Sequence, residues 1–560
     1  MIAFVAAILL TISWVIPEHF PPWINWHNEL LAFASVIWVS ACGLYVLGSQ
    51  KTFRIQVPTV AGPVVLLVVV VVTQHAFDYF DFSGHALAMV FYLMLAVLAL
   101  TCGFGTSSTA NPRQGKASTI DCFAIVLVVG AVVSATIALV QVLDVWDGFG
   151  LISRMGSGRR PGGNINQPNQ LATLLLMGMA SLVYLFDARR LQCGSAFAIS
   201  LVLLLGLSVT ESRTGILSFF AMVGWWWVRR RAIGSRVAPR AVMAGSAFLV
   251  AIFLSWPHIY SLILVDGAPA AVNTSAGTRL LVWPQLLEAA WSRPWFGWGL
   301  GAVSKAHNAI LGEHLRSEPF TYAHNVVIDL AVGVGLPLTV FMTGLTGLWL
   351  WRRVHSTIEL VPWYSLALIL PFGVHSMLEF PFAYSYLLVP AFFAVGVLEM
   401  AVAPNQHVSV AWMPAAGIFA PLVVLMALSA KEYIEAAEDF RVARFEVLGI
   451  GTTPATYERP HIRLLTQLDA LATTTRIRPA PGMSADQIEL MRKVAIQFPS
   501  IATQKRYAFS LALNGGAEEA VRQLKVMRAM YPPKYYAAIK ANWEELTREA
   551  YPQLPKLALP

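Results

Sequence analysis

The chain of 560 residues is 57% hydrophobic and only 12% charged, with a mean hydropathy of +0.61. Soluble domains carry about twice that share of charge, so the composition excludes a soluble enzyme and describes a polytopic membrane protein. The net charge of +8 partly reflects basic anchors beside the spans and makes no case for nucleic acid.

Reading about 20 apolar residues as one span predicts about thirteen helices, centred near Ala7, Ile37, Val69, Leu95, Val129, Met177, Leu203, Ala221, Phe248, Leu338, Ile369, Phe392 and Val423. The first has neither a basic leader nor a small-residue cleavage site and is read as a retained helix. Lys and Arg in short loops mark the cytoplasmic face. Lys51 and Arg54, Arg113 and Lys116, Arg189 and Arg190, Arg229 to Arg231 with Arg236 and Arg240, and Arg352 with Arg353 fall in alternate loops. That pattern places the N-terminus in the cytoplasm. The loop 144–167, the long loop 261–322 and the tail after Ala430 then lie on the outer side. Two domains are predicted: a membrane body, 1–430, which includes the loop 261–322, and a helical domain, 431–560. Cys42, Cys102, Cys122 and Cys193 have no metal-ligand spacing, and neither a metal nor a cofactor is expected.

Arg154, Arg159 and Arg160 break the orientation pattern and lead into an amide-rich run, Pro161 to Gln170. Basic residues placed against the rule suit an anionic ligand such as a diphosphate, which guanidinium groups bind in a planar, multi-donor manner. Asn164, Asn166, Gln167 and Asn169 offer donors and acceptors to sugar hydroxyls or phosphate, and Pro168 is placed to open a helix. A solvated turn capped by Asn is the simpler alternative. Further on, Glu211 and Arg213 lie two residues apart at membrane depth. They form either an ion pair in a tight turn or a site where Arg213 meets phosphate.

Within the long loop, residues 278–291 have the apolar pattern of a helix lying on the membrane face, with Arg279 at its start to meet ligand charge. An aromatic, flexible turn, 294–301, follows. Trp283, Trp291, Trp295 and Trp298 read as interfacial anchors. His324 stands at the mouth of the next helix, where Asn325, Asp329 and Gly333 share one face. A histidine there suggests chemistry at the membrane surface, with His307-Asn308 as a competing pair. His375 and Glu379, four residues apart, either brace the bundle as a buried pair or line the same cavity, and Tyr384 follows them. After Lys431 a charged amphipathic helix leads into a tail. There Tyr507, Ala508, Leu511, Gly515, Ala520, Leu524 and Pro532 have the pattern of a tetratricopeptide-like helix pair.

Five segments together resemble the O-antigen ligase superfamily, and within it the bacterial protein O-oligosaccharyltransferases that glycosylate pilin-like proteins. They are Gly163 to Asn169, Ser212 to Gly215, Arg279 to Gly301, His324-Asn325 with Gly333 to Pro337, and His375 to Pro381. The resemblance covers about residues 1 to 445. It implies an all-α, GT-C-like membrane bundle in the bacterial inner membrane, with its site and C-terminal domain facing the periplasm. It also implies inverting, metal-independent transfer of a glycan from undecaprenyl diphosphate to a Ser or Thr hydroxyl of a periplasmic, pilin-like acceptor. His324 is then the acceptor base or orienter. Arg213 and Arg279 hold the diphosphate, with Arg154, Arg159 or Arg160 assisting. Gln167 and Asn169 position sugar or diphosphate, and the cationic and amide groups are expected to gather beside His324. Transfer to lipid A core, O-antigen polymerisation and transport of lipid-linked glycan are the rival readings.

Overall fold

The computed structural model describes residues 2–48, 54–106, 118–144, 150–155, 160–263, 277, 279–549 and 559. Lys51, Arg113, Lys116 and Arg159, named above, lie outside the described residues. In chain order come α1 (Ile2–Val15), α2 (Trp26–Gly48), α3 (Gly62–Ala76), α4 (Ser83–Thr106), α5 (Thr119–Leu143), α6 (Pro168–Asp187), α7 (Cys193–Val209), α8 (Arg213–Arg229) and α9 (Pro239–Ile263). Three shorter helices follow: α10 (Arg279–Ser292), α11 (Val303–Ile310) and α12 (Val326–Val334). Then come α13 (Leu336–Ser356), α14 (Leu360–Ser376), α15 (Ser385–Val402) and α16 (Trp412–Leu448). The tail contains α17 (Thr466–Arg476), α18 (Ala485–Gln497), α19 (Ile501–Leu513), α20 (Ala517–Met530) and α21 (Pro533–Glu549).

The protein is an all-α membrane protein, and each of the expected span centres falls inside a helix. Among the described residues, eight helices are long and apolar enough to cross a membrane, and α1, α7 and α14 are apolar but shorter. The other two, α8 and α13, fall short because tryptophan, glycine and terminal arginines dilute their apolar runs. The helix expected to run unbroken from His324 past Leu338 is interrupted. Gly335 takes φ +83° between α12 and α13, and Leu336 N–H donates to Pro294 O at 2.7 Å. One feature departs from an all-helical chain: β1 (Arg54–Pro58) pairs antiparallel with β2 (His407–Ala411), Gln56 opposite Ser409.

The backbone divides into two compact units, each assembled from separate stretches of chain. The first is Met1–Leu66, Tyr92–Thr274 and Leu345–Val423; the second is Leu67–Phe91, Ser275–Gly344 and Val424–Pro560.

The first unit is a helical bundle with α6, α14 and α15 most enclosed. Lipid tails are as apolar as leucine, so helices in a membrane associate through close packing of small residues. Gly396 shows this on α15: a Cβ there would sit 2.0 Å from Leu100 O of α4. One end of the bundle is tied by basic residues. Arg190 pairs with Asp121 at 2.9 Å, Arg229 donates to Val354 O, and Arg236 donates to Phe186 O. Arg353 meets the fully buried Glu399 in a two-pronged pair, 2.6 and 2.7 Å, which Trp349 supports.

The second unit has its own cores. One lies among α10, α11 and α12 and includes Val282, Leu286, Ala306 and Val332. Another joins α19, α20 and α21, where Phe509 stacks on Trp543 at 4.1 Å. Leu311 packs with Val526 and Met530, and Ser317 N–H donates to Ala529 O, so the segment before α12 and the tail share one packed body.

Candidate active site

In the first unit the amide-rich run builds the entrance to α6. Gly163 at φ +58° and Asn166 at φ +61° turn the backbone twice within a few residues. Pro168 then supplies the first helical residue, and Gln167 caps the helix by accepting Gln170 N–H at 2.8 Å. Proline costs nothing at a position whose N–H has no helical partner.

Asn169, in the first turn, is a hub. Its Oδ1 accepts from Arg160 Nη2 at 3.0 Å and from Ser212 Oγ at 2.8 Å, and its Nδ2 donates to Glu379 Oε1 at 3.4 Å. Arg160 Nε also donates to Thr210 O at 2.9 Å. Ser212 is in turn the N-cap of α8, accepting Gly215 N–H at 3.0 Å, and Arg213 is exposed at the head of that helix. Two helix N-termini are therefore joined through Asn169, each carrying a partial positive charge, with Arg160 and Arg213 beside them. Preceding Ser212, the buried Glu211 holds φ +47°. One turn deeper along α6, Thr173 Oγ1 bonds His375 Nδ1 at 2.8 Å, and Glu379 N–H donates to His375 O at 2.7 Å. This end of the bundle suits an anion with several oxygens.

Not every expected residue reaches that surface. Asn164 is fully buried. Its Nδ2 donates to Val15 O at 2.6 Å and Leu151 O at 2.8 Å, and its Oδ1 accepts Ser153 N–H at 3.0 Å. It bolts the turn to α1, which corrects the expectation that it meets substrate. Asn166 is exposed and serves as the left-handed turn residue. Arg154 is exposed, whereas His375 is buried against Thr173 as a brace. Tyr384 precedes α15 with its ring against Phe380 and Tyr386.

In the second unit Arg279 is the first residue of α10, as its sequence position predicts. His324 has φ +55°, a left-handed conformation uncommon outside glycine. The residues around it fix that conformation. Ala323 N–H donates to Asp329 Oδ2 at 3.0 Å, and Ala323 O accepts from Trp283 Nε1 at 2.8 Å. Asn325 caps α12 through Oδ1, taking Val327 N–H at 3.0 Å and Ile328 N–H at 3.2 Å. The imidazole lies against Phe320, ring centres 4.6 Å apart. Strain held in place by surrounding contacts is a recurring property of reactive positions.

The competing histidine, His307, is fully buried. Its Nε2 sits 3.1 Å from Gln285 Oε1 and 2.9 Å from Ser317 Oγ, tying α10 and α11 to the segment before Phe320. Burial, with a smaller contribution from His314, pulls its pKa down to about 4. Enclosed and held by both partners, it is placed as a structural group. Two of the loop's other cations are engaged: Lys305 pairs with Asp81 at 3.2 Å, and Arg293 lies 3.9 Å over Trp298. The turn 294–301 is pinned instead of flexible, since Trp298 N–H donates to Val332 O and Gly299 N–H to Gly333 O. Trp291 and Trp295 are exposed as anchors should be, but Trp283 and Trp298 spend their indole N–H groups on Ala323 O and Ala289 O.

Sequence reasoning missed Ser212 as a partner of Asn169, Thr173 as a partner of His375, and Trp283 and Asp329 as clamps on Ala323. Ser212 had a local signal in the Ser-x-x-Gly start of α8, and Thr173 lies one turn from Asn169. The role of Trp283 depends on a contact forty residues away and had none.

Residues 170–343 match the family model described as O-Antigen ligase, and residues 363–545 match one described as Virulence factor membrane-bound polymerase, C-terminal. The General O-oligosaccharyltransferase of Acinetobacter baylyi is 24% identical over 549 residues, covering 96% of this chain and 93% of that protein. The ComP-specific O-oligosaccharyltransferase of the same organism is 24% identical over 369 residues, covering 64% of this chain and 66% of that protein.

Proposed function

Since the chain belongs to the O-antigen ligase superfamily, close to the O-oligosaccharyltransferases, we propose that it is a glycosyltransferase. It moves an oligosaccharide en bloc from a polyprenyl diphosphate, undecaprenyl diphosphate in bacteria, to serine or threonine hydroxyls of a periplasmic protein such as a pilin. The reaction inverts the anomeric centre and uses no metal. The enzyme sits in the inner membrane, with its site and tail on the periplasmic side.

The observation that carries this reading is the junction at Asn169, where two helix N-termini meet beside Arg160 and Arg213. Diphosphate leaves as an anion, and the barrier falls when fixed donors and cations meet that charge as it develops. In the first unit this role falls to Arg213, with Arg154, Arg159 or Arg160 assisting, while Gln167 and Asn169 orient the phosphates or the first sugar; in the second unit Arg279 is the residue assigned to ligand charge. A hydroxyl is a poor nucleophile near neutral pH, so His324 orients it or takes its proton as the bond to the sugar forms. The backbone clamp from Trp283 and Asp329 supports a fixed imidazole position.

The test is transfer in vitro from undecaprenyl diphosphate glycan to a pilin-like protein. Relative to wild type, His324→Ala is expected to lower the rate by about 10² to 10⁴-fold, and Arg279→Ala to lower it with normal membrane insertion. Asn169→Ala is expected to raise KM for the lipid donor. Glycan appearing only on lipid A core, or only on a second lipid-linked glycan, replaces the protein acceptor with a lipid one. Unchanged rates in all three variants overturn the site.

A further inference from the structure

The tail of the second unit holds a groove of about 320 Å³ whose lining includes none of the residues given a role above. Phe440, Leu471, Met491 and Val494 form its apolar wall, and Arg444 and Arg506 line it as well. No carboxylate is among the lining residues. Arg506 Nη1 donates to Thr474 O at 2.7 Å and to Thr475 O, closing the C-terminus of α17. Its Nε and Nη2 have no hydrogen bond among the described residues. The exposed Arg444 has no ion pair among the described residues, and its guanidinium lies 6.0 Å from the Phe440 ring. Five tail arginines, Arg441, Arg459, Arg476, Arg492 and Arg522, have a carboxylate partner; Arg444 and Arg506 are the two arginines that line this groove, and neither has one among the described residues. Burial, and then the neighbouring Arg478, push the Arg506 pKa down, and its polar partners are the two α17 carbonyls. An apolar wall beside two guanidinium groups that have no carboxylate partner suits a ligand that is part hydrocarbon and part carboxylate.

Position along α16 decides between a lipid and a polypeptide. The apolar run ends at Ala430, and Phe440 and Arg444 follow ten and fourteen residues later in the same helix. At the helical rise they stand about 15 and 21 Å further on, past the headgroup layer of a bilayer whose hydrocarbon edge is at Ala430.

We propose that this groove docks an extended segment of a soluble protein, one that presents an apolar side chain followed by an acidic residue. That the docked protein is also the glycan acceptor rests on the proposed function.

The experiment uses the full chain in detergent micelles and fluorescence anisotropy of a labelled Gly-Leu-Phe-Asp-Gly amide, with its Asn counterpart as control. The aspartate peptide is expected to bind about ten-fold more tightly than the control, and Arg444→Glu to remove that difference. Arg444 is exposed, so the variant should keep the wild-type thermal midpoint; Arg506→Lys, which retains a cation near the α17 carbonyls, should weaken binding less. Equal affinity for the two peptides, no binding, or displacement of the peptide by phosphatidylglycerol nanodiscs overturns the proposal. Glycan transfer is followed separately. If wild type transfers nothing, the enzyme reading fails while anisotropy still judges the groove. If transfer proceeds and the peptides do not discriminate, the groove alone is wrong.

Discussion

His324 and His307 show how residues of one type, close in sequence, are given different work. His324 is held left-handed at the entrance to α12, while His307 is sealed between α10, α11 and Ser317. The His307 imidazole is neutral when folded, with a pKa of about 4 against 6.5 in an open chain. The unfolded chain therefore binds the extra proton as pH falls below 6.5, and the stability from its neutral burial is present above that value. It is lost progressively down to about pH 4. In His307→Gln the drop in thermal midpoint between pH 6.5 and 4 should be smaller than in wild type, measured in the same detergent. Trp283→Phe keeps the ring but removes the donor to Ala323 O, which frees the backbone at His324. The expected result is a fall in kcat of about ten-fold with an unchanged KM for the lipid donor, because a misplaced catalytic group costs rate before it costs binding. Retained kcat would show that the indole bond does not position the imidazole. Much at this scale was readable in advance where the cause is local. Pro168 opens α6 and Arg279 opens α10, as expected, because capping depends on a few neighbouring residues. Asn164 was misread because one of its partners, Val15, comes from α1, far away in the chain, although Leu151 and Ser153 belong to the same loop.

Among the helices, each apolar run expected as a span is centred in a helix, yet the sequence did not announce the break at Gly335 or the β1–β2 ladder. A glycine in an apolar run is compatible with an unbroken span. Only the close approach of Trp295 O, 2.5 Å from where a Cβ would stand, explains why Gly335 is needed. Basic residues at helix ends were read as orientation markers, but Arg353 also neutralises Glu399, which α15 buries completely. Removing one member of such a pair leaves a buried charge without compensation. Glu399→Ala is expected to destabilise the first unit by about 3 to 5 kcal/mol, seen as a lower thermal midpoint. Replacing Arg353 and Glu399 together by apolar residues should restore much of that loss. A double variant no more stable than Glu399→Ala alone would show that the loss has another source.

For the whole molecule, sequence order was a poor guide to which segments pack together. The second unit combines 67–91, 275–344 and the tail from 424. Its internal contacts bind these pieces: Ser304 Oγ donates to Ile496 O, Gly84 N–H to Thr466 Oγ1, and Arg492 lies 3.7 Å from Asp81. A chain ending at Ala430 loses the partners of Ser304, Leu311 and Ser317. Limited proteolysis of that truncation should cut within 279–322 where the full chain resists; equal resistance would mean that this segment folds without the tail. The same interleaving bears on how such chains can be recombined. A graft that exchanges only the C-terminal domain between two relatives would leave Leu311 facing a foreign counterpart of Val526 and Met530. Workable hybrids should carry the residues around Leu311 and Asp81 along with the donor's C-terminus, so the smallest interchangeable module is three pieces of polypeptide inherited as one.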